Sequence, residues 1–301
     1  SHRTKLAECT AAAQADAVIT HTQYEATYLQ KLVTGANVHV VPWAVTPRPV
    51  PDGVAARQGV AFIANYGHAP NVDAARFLVE TVMPLVWQHD PAIPCLLVGS
   101  RMPPLLRRLA RRFPPPRSVQ LGPDPSDGSP GLGIRKDAIP AGGIPAGGIP
   151  AGGIPVGGIP VGATPADAVQ VLGHVADLAG LLGRVRLTVA PLRYGAGVKG
   201  KVLASLAAGV PCVMSPVAAE GIDLPPLLSA LVGATPAELA ERIVRLHADG
   251  GARRNAAGAG LALIESAYSE AGVTAALRAA IGARWDVAST VPDSRKAAPG
   301  G

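Results

Sequence analysis

PLRYGAGVKGKVLASLAAGVPCVMSPVAAEG, residues 191–221, decides how this chain is read. A glycine-spaced loop carrying two lysines runs into a helix of small residues that starts near Val198. A Gly209-Val210-Pro211 break follows, then a strand, then a loop ending in Glu220-Gly221. Gly195 and Gly197 let the backbone approach a ligand closely. The helix start offers unpaired N–H groups and the positive end of a dipole. Lys199 and Lys201 add formal charge of the same sign, so the segment suits an anion such as a diphosphate. Glycines also serve plain turns, so the inference rests on the order of loop, helix, Gly-x-Pro and strand.

Outward from this segment, short apolar runs alternate with amphipathic stretches. Gly59–Ala64, Pro94–Val98, Val169–Leu172, Leu187–Ala190 and Pro211–Met214 read as strands, with a brief one at Leu231–Val232. Asn71–Trp87, Pro104–Phe113, Val175–Leu182, Lys199–Ala208, Thr235–His247, Ala252–Ser266 and Ser269–Ile281 read as helices. Thr235 is the expected N-cap and Glu238 completes a capping box. This alternation implies α/β architecture with a doubly wound parallel sheet. In such sheets ligands bind at the carboxyl ends of strands, at the switch point. His68, Gly99, Gly173-His174 and Gly195–Lys201 all follow expected strands directly, which points to one cleft.

Upstream, residues 3–15 and Thr22–Leu32 read as helices, with Tyr24, Tyr28 and Leu32 repeating on one face. Ala17–Thr20 and Val38–Pro42 read as strands. Residues 1–45 thus form the last part of a first α/β unit, and residues 46–58 a linker. The chain opens on a helix with no strand before it, which suggests a piece of a longer protein. A second unit spans 59–285, interrupted at 123–167 by a Gly- and Pro-rich insert. That insert repeats Ile-Pro-Ala-Gly-Gly and its Val variant with a period of five, and is expected to be a disordered surface loop. Residues 286–301 are expected to be a disordered tail.

The 301 residues are 48% hydrophobic but only 4% aromatic, so Leu, Val and Ala must fill the core. Net charge is +6. That balance fits nucleic acid, an anionic membrane face or a phosphorylated ligand. Arg101, Arg107, Arg108, Arg111, Arg112 and Arg117 cluster, but no aromatics alternate with them for stacking, so nucleic acid is not expected. A solvated helix face is the simpler reading, with peripheral contact at an anionic membrane as its rival. Cys9, Cys95 and Cys212 are far apart and form no CxxC pair, which fits a reducing, cytoplasmic setting. No window approaches 18 uninterrupted apolar residues, so no transmembrane helix is expected.

Among the histidines, His68 and His174 follow strand ends and are the candidates for ligand contact. His2, His39, His89 and His247 lie on termini or exposed patterns and read as incidental. No His-x-x-x-His or Glu-x-x-His pair suggests a protein-held metal, and no resident cofactor is expected. There is no Gly-x-Ser-x-Gly elbow and no GxxxxGK[ST] run. No Gly-x-Gly-x-x-Gly follows the first strand of the second unit. Glu220 is a candidate acceptor for sugar or ribose hydroxyls. Arg101 reads as a phosphate clamp or a solvated charge at a helix start.

The segment resembles the donor-binding segment of GT-B fold retaining glycosyltransferases, glycosyltransferase family 4. Gly195-Ala196-Gly197-Val198-Lys199-Gly200-Lys201, Leu203 to Gly209 and Val210-Pro211-Cys212-Val213 carry the likeness. Asp16-Ala17-Val18-Ile19 with Thr22 and Glu25, Val40 to Val45, Phe62-Ile63 with His68, Pro70-Asn71 and Asp73, Leu97-Val98-Gly99, Leu172 to Val175 and Leu187 to Pro191 extend it. The resemblance implies a Rossmann-like donor domain with the remnant of an N-terminal Rossmann-like acceptor domain. It implies a UDP- or GDP-linked sugar as donor substrate, and a glycan, lipid-linked or protein acceptor. Donor contacts would fall on His68, Gly99, His174, Val175, Gly195, Gly197, Lys199, Lys201 and Glu220. His174 and Val175 would meet the base through their main chain. The enzyme would be cytoplasmic, with the inner membrane face as its peripheral site. At Ala196 and Ala204 the chain departs from the family, which places glutamates there. The second departure removes the implied ribose-hydroxyl acceptor. The alternative is a non-catalytic module that binds a nucleotide or sugar phosphate, or serves as an interaction module. A sugar-nucleotide epimerase would need a Rossmann fingerprint and a Tyr-x-x-x-Lys pair, and the sequence has neither.

Overall fold

The computed structural model describes residues 2–50, 57–112 and 169–282. The pentapeptide insert at 123–167, the tail at 286–301, part of the expected linker and Arg117 lie outside the described residues. In chain order the elements are α1 (His2–Gln14), β1 (Val18–Thr20), α2 (Gln23–Leu32), β2 (Val38–Val40), β3 (Val60–Ile63), α3 (Ala69–Phe77), a π turn (Leu78–Val82) and α4 (Met83–His89). Then come β4 (Cys95–Val98), α5 (Pro104–Ala110), β5 (Val169–Gly173), α6 (Leu178–Leu182), β6 (Leu187–Ala190), α7 (Gly200–Ala207) and β7 (Cys212–Met214). The series ends with α8 (Pro216–Ala219), α9 (Pro226–Ser229), α10 (Pro236–Ala248), α11 (Gly250–Ala267) and α12 (Glu270–Ile281).

The chain divides into two units. One comprises residues 1–46 with 264–301, the other 47–263. In the first, β1 and β2 pair in parallel, Val18 opposite Val38. α2 packs on both strands and α12 on β2. The repeating face of α2 stays largely open: Tyr24, Tyr28 and Leu32 are all exposed.

The second unit holds a five-stranded sheet in the order β5-β4-β3-β6-β7, every pairing parallel. From β3 the chain builds outward through β4 to β5. It then crosses back to lay β6 on the other side of β3 and continues to β7. The winding therefore reverses between β3 and β6. Both strands are buried along most of their length, as a sheet covered on two faces requires. On one face Leu181, Leu182 and Val185 pack with Ala61, Leu96, Val98, Ala208 and Val210. Elsewhere α10 packs on α4, the π turn and β7.

A pair of hydroxyls locks α7 to the sheet. Thr188 of β6 and Ser205 of α7 are both buried, with their Oγ atoms 2.6 Å apart, and Ser205 donates to the Val210 carbonyl at 2.8 Å. With Ser205 committed to Val210, the hydrogen between the two hydroxyls comes from Thr188.

The structure corrects several sequence expectations. α6 starts at Leu178 rather than Val175, because Asp177 caps it and accepts from the Gly180 N–H at 2.8 Å. α8 and α9 were not expected; each begins on a proline, and Ser215 caps α8. Leu231–Val232 makes an isolated parallel bridge to Met214 rather than a strand. The helix expected over Asn71–Trp87 is interrupted by the π turn, where the Met83 N–H donates to the Leu78 carbonyl. Pro84 follows at once and has no N–H to give. At α10, Thr235 caps the Glu238 N–H as expected, but the Glu238 carboxylate reaches back to the Ala234 N–H. His247 is buried, not exposed: its Nε2 accepts from the Gly59 N–H at 3.1 Å.

Candidate functional site

The reversal point between β3 and β6 is where two loops meet. The first, Ala64 to His68, is shaped by two asparagines. Asn65 Oδ1 accepts from the Gly67 N–H at 3.0 Å, and its carbonyl accepts from the Asn71 side-chain amide at 2.7 Å. His68 is the N-cap residue of α3 but makes no side-chain cap bond. Its carbonyl accepts from the Asn71 N–H, and its ring stands exposed.

The second loop, Pro191 to Val198, leaves β6 and enters α7. Gly195 and Gly197 have φ of +130° and +77°, so the loop needs glycine at both places. A Cβ at Gly195 would lie 3.8 Å from Pro70, so this loop runs beside the start of α3. α7 has Lys199 as its N-cap residue, with no side-chain acceptor. Its first-turn N–H groups therefore lack the usual side-chain partner.

The two lysines behave differently. Lys199 is buried, and its ammonium donates to the carbonyls of Gly195 and Gly197, closing the loop on itself. Lys201 crosses the reversal point and donates to Asn71 Oδ1 at 2.9 Å. It also lies 5.9 Å from the centroid of the Phe62 ring. Burial lowers its pKa, the Cys212 thiol opposes that shift, and the neighbouring Lys199 adds to it.

A second strap joins the same loops. Arg193 makes a two-pronged contact with Asp73, one prong from Nε to Oδ2 at 2.8 Å, and lies over the Phe77 ring at 5.1 Å. This hydrogen bonding holds the Asp73 carboxyl below its ordinary value. At the far end of the loop, Ser215 Oγ donates to the Leu192 carbonyl at 2.5 Å.

The strand exits beyond are packed backbone on backbone. Gly99 has φ of +142°, and a Cβ there would stand 1.7 Å from the Ala64 carbonyl oxygen. Its N–H donates to the Gly173 carbonyl at 2.5 Å. Arg101 follows with φ of +55° and lays its side chain against Gly67, three residues before α5 rather than at a helix start. His174 is exposed, while Val175 packs against the Leu181–Leu182 cluster. Glu220 closes α8 and is half-buried, with no hydrogen bond or ion pair to the other candidate residues.

The structure thus joins Gly195, Gly197 and Lys199 in one loop, ties Lys201 to the first turn of α3, and joins Gly99 to Gly173. Sequence reasoning did not single out Asn71, Asp73 and Arg193 as site residues. Their signal is a register one: Asn71 and Asp73 open α3 and Arg193 leaves β6, on either side of the winding reversal.

Burial pushes the Cys95 and Cys212 thiols up to about 12 and about 11, so neither is a thiolate nucleophile near neutral pH. Among the described residues no group of three or more His, Cys, Asp and Glu is placed to hold a metal ion. Nor is any helix long and apolar enough to cross a membrane.

The family model "Glycosyl transferases group 1" matches residues 160–249. No curated protein matches the sequence. Among solved structures, the chain is similar to S. aureus TarM in a mutant complex with fondaparinux, alpha-GlcNAc-glycerol and UDP. That match has 12% identity and a TM-score of 0.66, covering 93% of this chain and 46% of that one. Sucrose-phosphate synthase from Thermosynechococcus elongatus matches at 17% identity and a TM-score of 0.62, covering 93% and 60%. Anabaena HepE in complex with UDP and glucose matches at 13% identity and a TM-score of 0.63, covering 93% and 66%. The chain spans about half to two thirds of the length of these proteins. The fold is accordingly the α/β, parallel-sheet architecture of GT-B glycosyltransferases.

Proposed function

We propose that the chain is the nucleotide-sugar-binding part of a group 1 glycosyltransferase. The observation that carries this reading is the glycine loop and α7 start at the winding reversal, with Lys201 held there by Asn71. Such a site suits a diphosphate: helix-end amides and ammoniums stabilise negative charge. The sugar would pass from a UDP- or GDP-linked donor to a glycan, lipid-linked or protein acceptor, with retention of configuration. The bond from the anomeric carbon to the diphosphate breaks, and its electron pair leaves with the nucleoside diphosphate. The acceptor oxygen bonds to the same face of that carbon and gives up its proton to the departing diphosphate oxygen. His68, Gly99, His174, Val175, Gly195, Gly197, Lys199, Lys201 and Glu220 are the proposed donor contacts. No resident cofactor is required. In the same reading the enzyme works in the cytoplasm, and the α5 arginines form a solvated helix face, with peripheral contact at the inner membrane face as the rival role.

The test is calorimetric titration of UDP and GDP into the wild type, Lys199→Ala and Lys201→Ala. A charge-assisted bond predicts a loss of roughly 10- to 150-fold on removing an engaged lysine. Unchanged affinity in both variants, with wild-type binding present, removes the phosphate role. A second reading, a non-catalytic module binding nucleotide or sugar phosphate, is favoured by Ala196 and Ala204. Donor binding with no transfer in the full-length protein would select it.

A further inference from the structure

The reading above leaves unused an exposed aromatic residue in the first unit. Trp43 is 41% exposed, in a chain where aromatics are scarce and Trp87 is buried. It lies just past the carboxyl end of β2, where parallel strands present ligands. Its backbone is pinned on both sides. The Val41 N–H donates to the Thr20 carbonyl at 2.8 Å, and the Val45 N–H to the Tyr268 carbonyl at 2.8 Å.

His21, just past the end of β1, meets this indole in a T-shaped contact, with ring centroids 5.6 Å apart. Its Nδ1 is 3.0 Å from the Val41 carbonyl. A carbonyl only accepts, so Nδ1 carries the hydrogen and Nε2 of the neutral ring presents a lone pair. The His21 N–H donates to Glu25 Oε2 at 3.2 Å, as does the Thr22 hydroxyl at 3.1 Å. The other Glu25 oxygen is left able to accept. Among the described residues the Trp43 indole N–H has no hydrogen-bond partner, and the residue as a whole is exposed.

The constellation is a flat apolar plate carrying one donor, with an imidazole acceptor against it and the Glu25 carboxylate bonded to the backbone of that histidine, on a chain fixed from both sides. We infer that Trp43, His21 and Glu25 form a saccharide-binding site for a pyranose ring. The C–H face of such a ring carries partial positive charge and packs on the negative face of an indole. Its hydroxyls, each both donor and acceptor, match the indole N–H, the imidazole Nε2 and the free carboxylate oxygen. A phosphorylated or anionic ligand is disfavoured by Glu25. Calling the saccharide the acceptor rests on the transferase reading; the binding site does not.

The probes are methyl α-D-gluco-, galacto- and mannopyranoside, followed by the indole N–H signals in proton–nitrogen correlation spectra. Trp43→Phe assigns the Trp43 signal. The expected result is a saturable shift of that signal alone with at least one glycoside. Saturation transfer to the glycoside, which needs no tryptophan, should vanish in Trp43→Ala. It should weaken about fivefold in His21→Ala, the loss of one hydrogen bond. No shift with any glycoside, an equal shift with glycerol, or undiminished transfer in Trp43→Ala overturns the proposal. A thermal melt of each variant checks folding, and His21→Ala decides if Trp43→Ala does not fold. UDP titration of the same samples separates the two readings. Glycoside binding without UDP binding sinks the donor site and leaves this one, and the converse sinks this one alone.

Discussion

Lys201 and Asn71, 130 residues apart in sequence, meet across 2.9 Å where the winding of the sheet reverses. The Asn71 amide has no freedom to do otherwise. Its nitrogen is committed to the Asn65 carbonyl, so its oxygen must face the lysine. A cation on α7 is thereby aimed by the first turn of α3.

Asn71→Ala should therefore weaken nucleoside-diphosphate binding by less than Lys201→Ala does. The double variant should bind no worse than Lys201→Ala alone, because both changes act through one ammonium. Calorimetric titration with UDP measures this. Additive losses would show that Asn71 contacts the ligand by itself.

Ser205→Ala should destabilise the protein by about 1–3 kcal/mol, since it leaves the buried Thr188 hydroxyl and the Val210 carbonyl without their partner. The Thr188→Val, Ser205→Ala double variant should cost less than the sum of the single changes, because the stranded hydroxyl is gone. Urea unfolding midpoints read both. Strict additivity would mean the two hydroxyls are not coupled.

Stability should fall on acidification through His247. Burial, then the charges of Arg186 and Arg253, bring its pKa down from 6.5 to about 3. The Asp90 carboxylate at 3.9 Å would favour the charged ring, but it is 40% exposed and is outweighed. Between those two pKa values the unfolded chain binds a proton that the folded one refuses. This contribution is thus complete above the unfolded value and declines as pH drops, by up to about 1.4 kcal/mol per pH unit. Unfolding midpoints at pH 7.5 and 5 should differ more in the wild type than in His247→Gln. Equal pH dependence would exclude His247 as the source.

Gly99→Ala should cost about 1–2 kcal/mol from its positive φ alone. The collision of its Cβ with the Ala64 carbonyl adds to that. A thermal melt near the wild-type value would show that the strand exits can separate.

The parallel α/β sheet was legible because five short apolar runs alternate with amphipathic stretches, and a parallel sheet buried on both faces demands that pattern; the order of its strands was not read from the sequence. The Lys199–Ala208 helix and its glycine loop were readable for the same local reasons. What failed was decided by distant partners. His247 lies on a helix end that looks solvated until Gly59 and two arginines close on it. Nothing in GAGVK says that the carbonyls of the same loop will accept from the Lys199 ammonium. Arg193 and Asp73 are unremarkable singly, and only the reversal of the winding makes them neighbours. Trp43 and His21 carry no local pattern and become a pair only once β1 lies beside β2.

The π turn at Leu78–Val82 has a consequence for how this chain tolerates insertion and deletion. Buried positions from Asn71 to Trp87 recur every four residues: 71, 75, 79, 83 and 87, with 74, 78, 82 and 86 beside them. An α-helix turns about 100° per residue, so a four-residue repeat precesses by roughly 40° each time and would wind round the rod. The widened turn takes back about 100° of that precession, as one extra residue per turn must. Losing a single residue there would restore an ordinary helix and rotate its two ends out of phase. The half anchored on α10 would keep its seat, while Asn71 would swing away from Lys201.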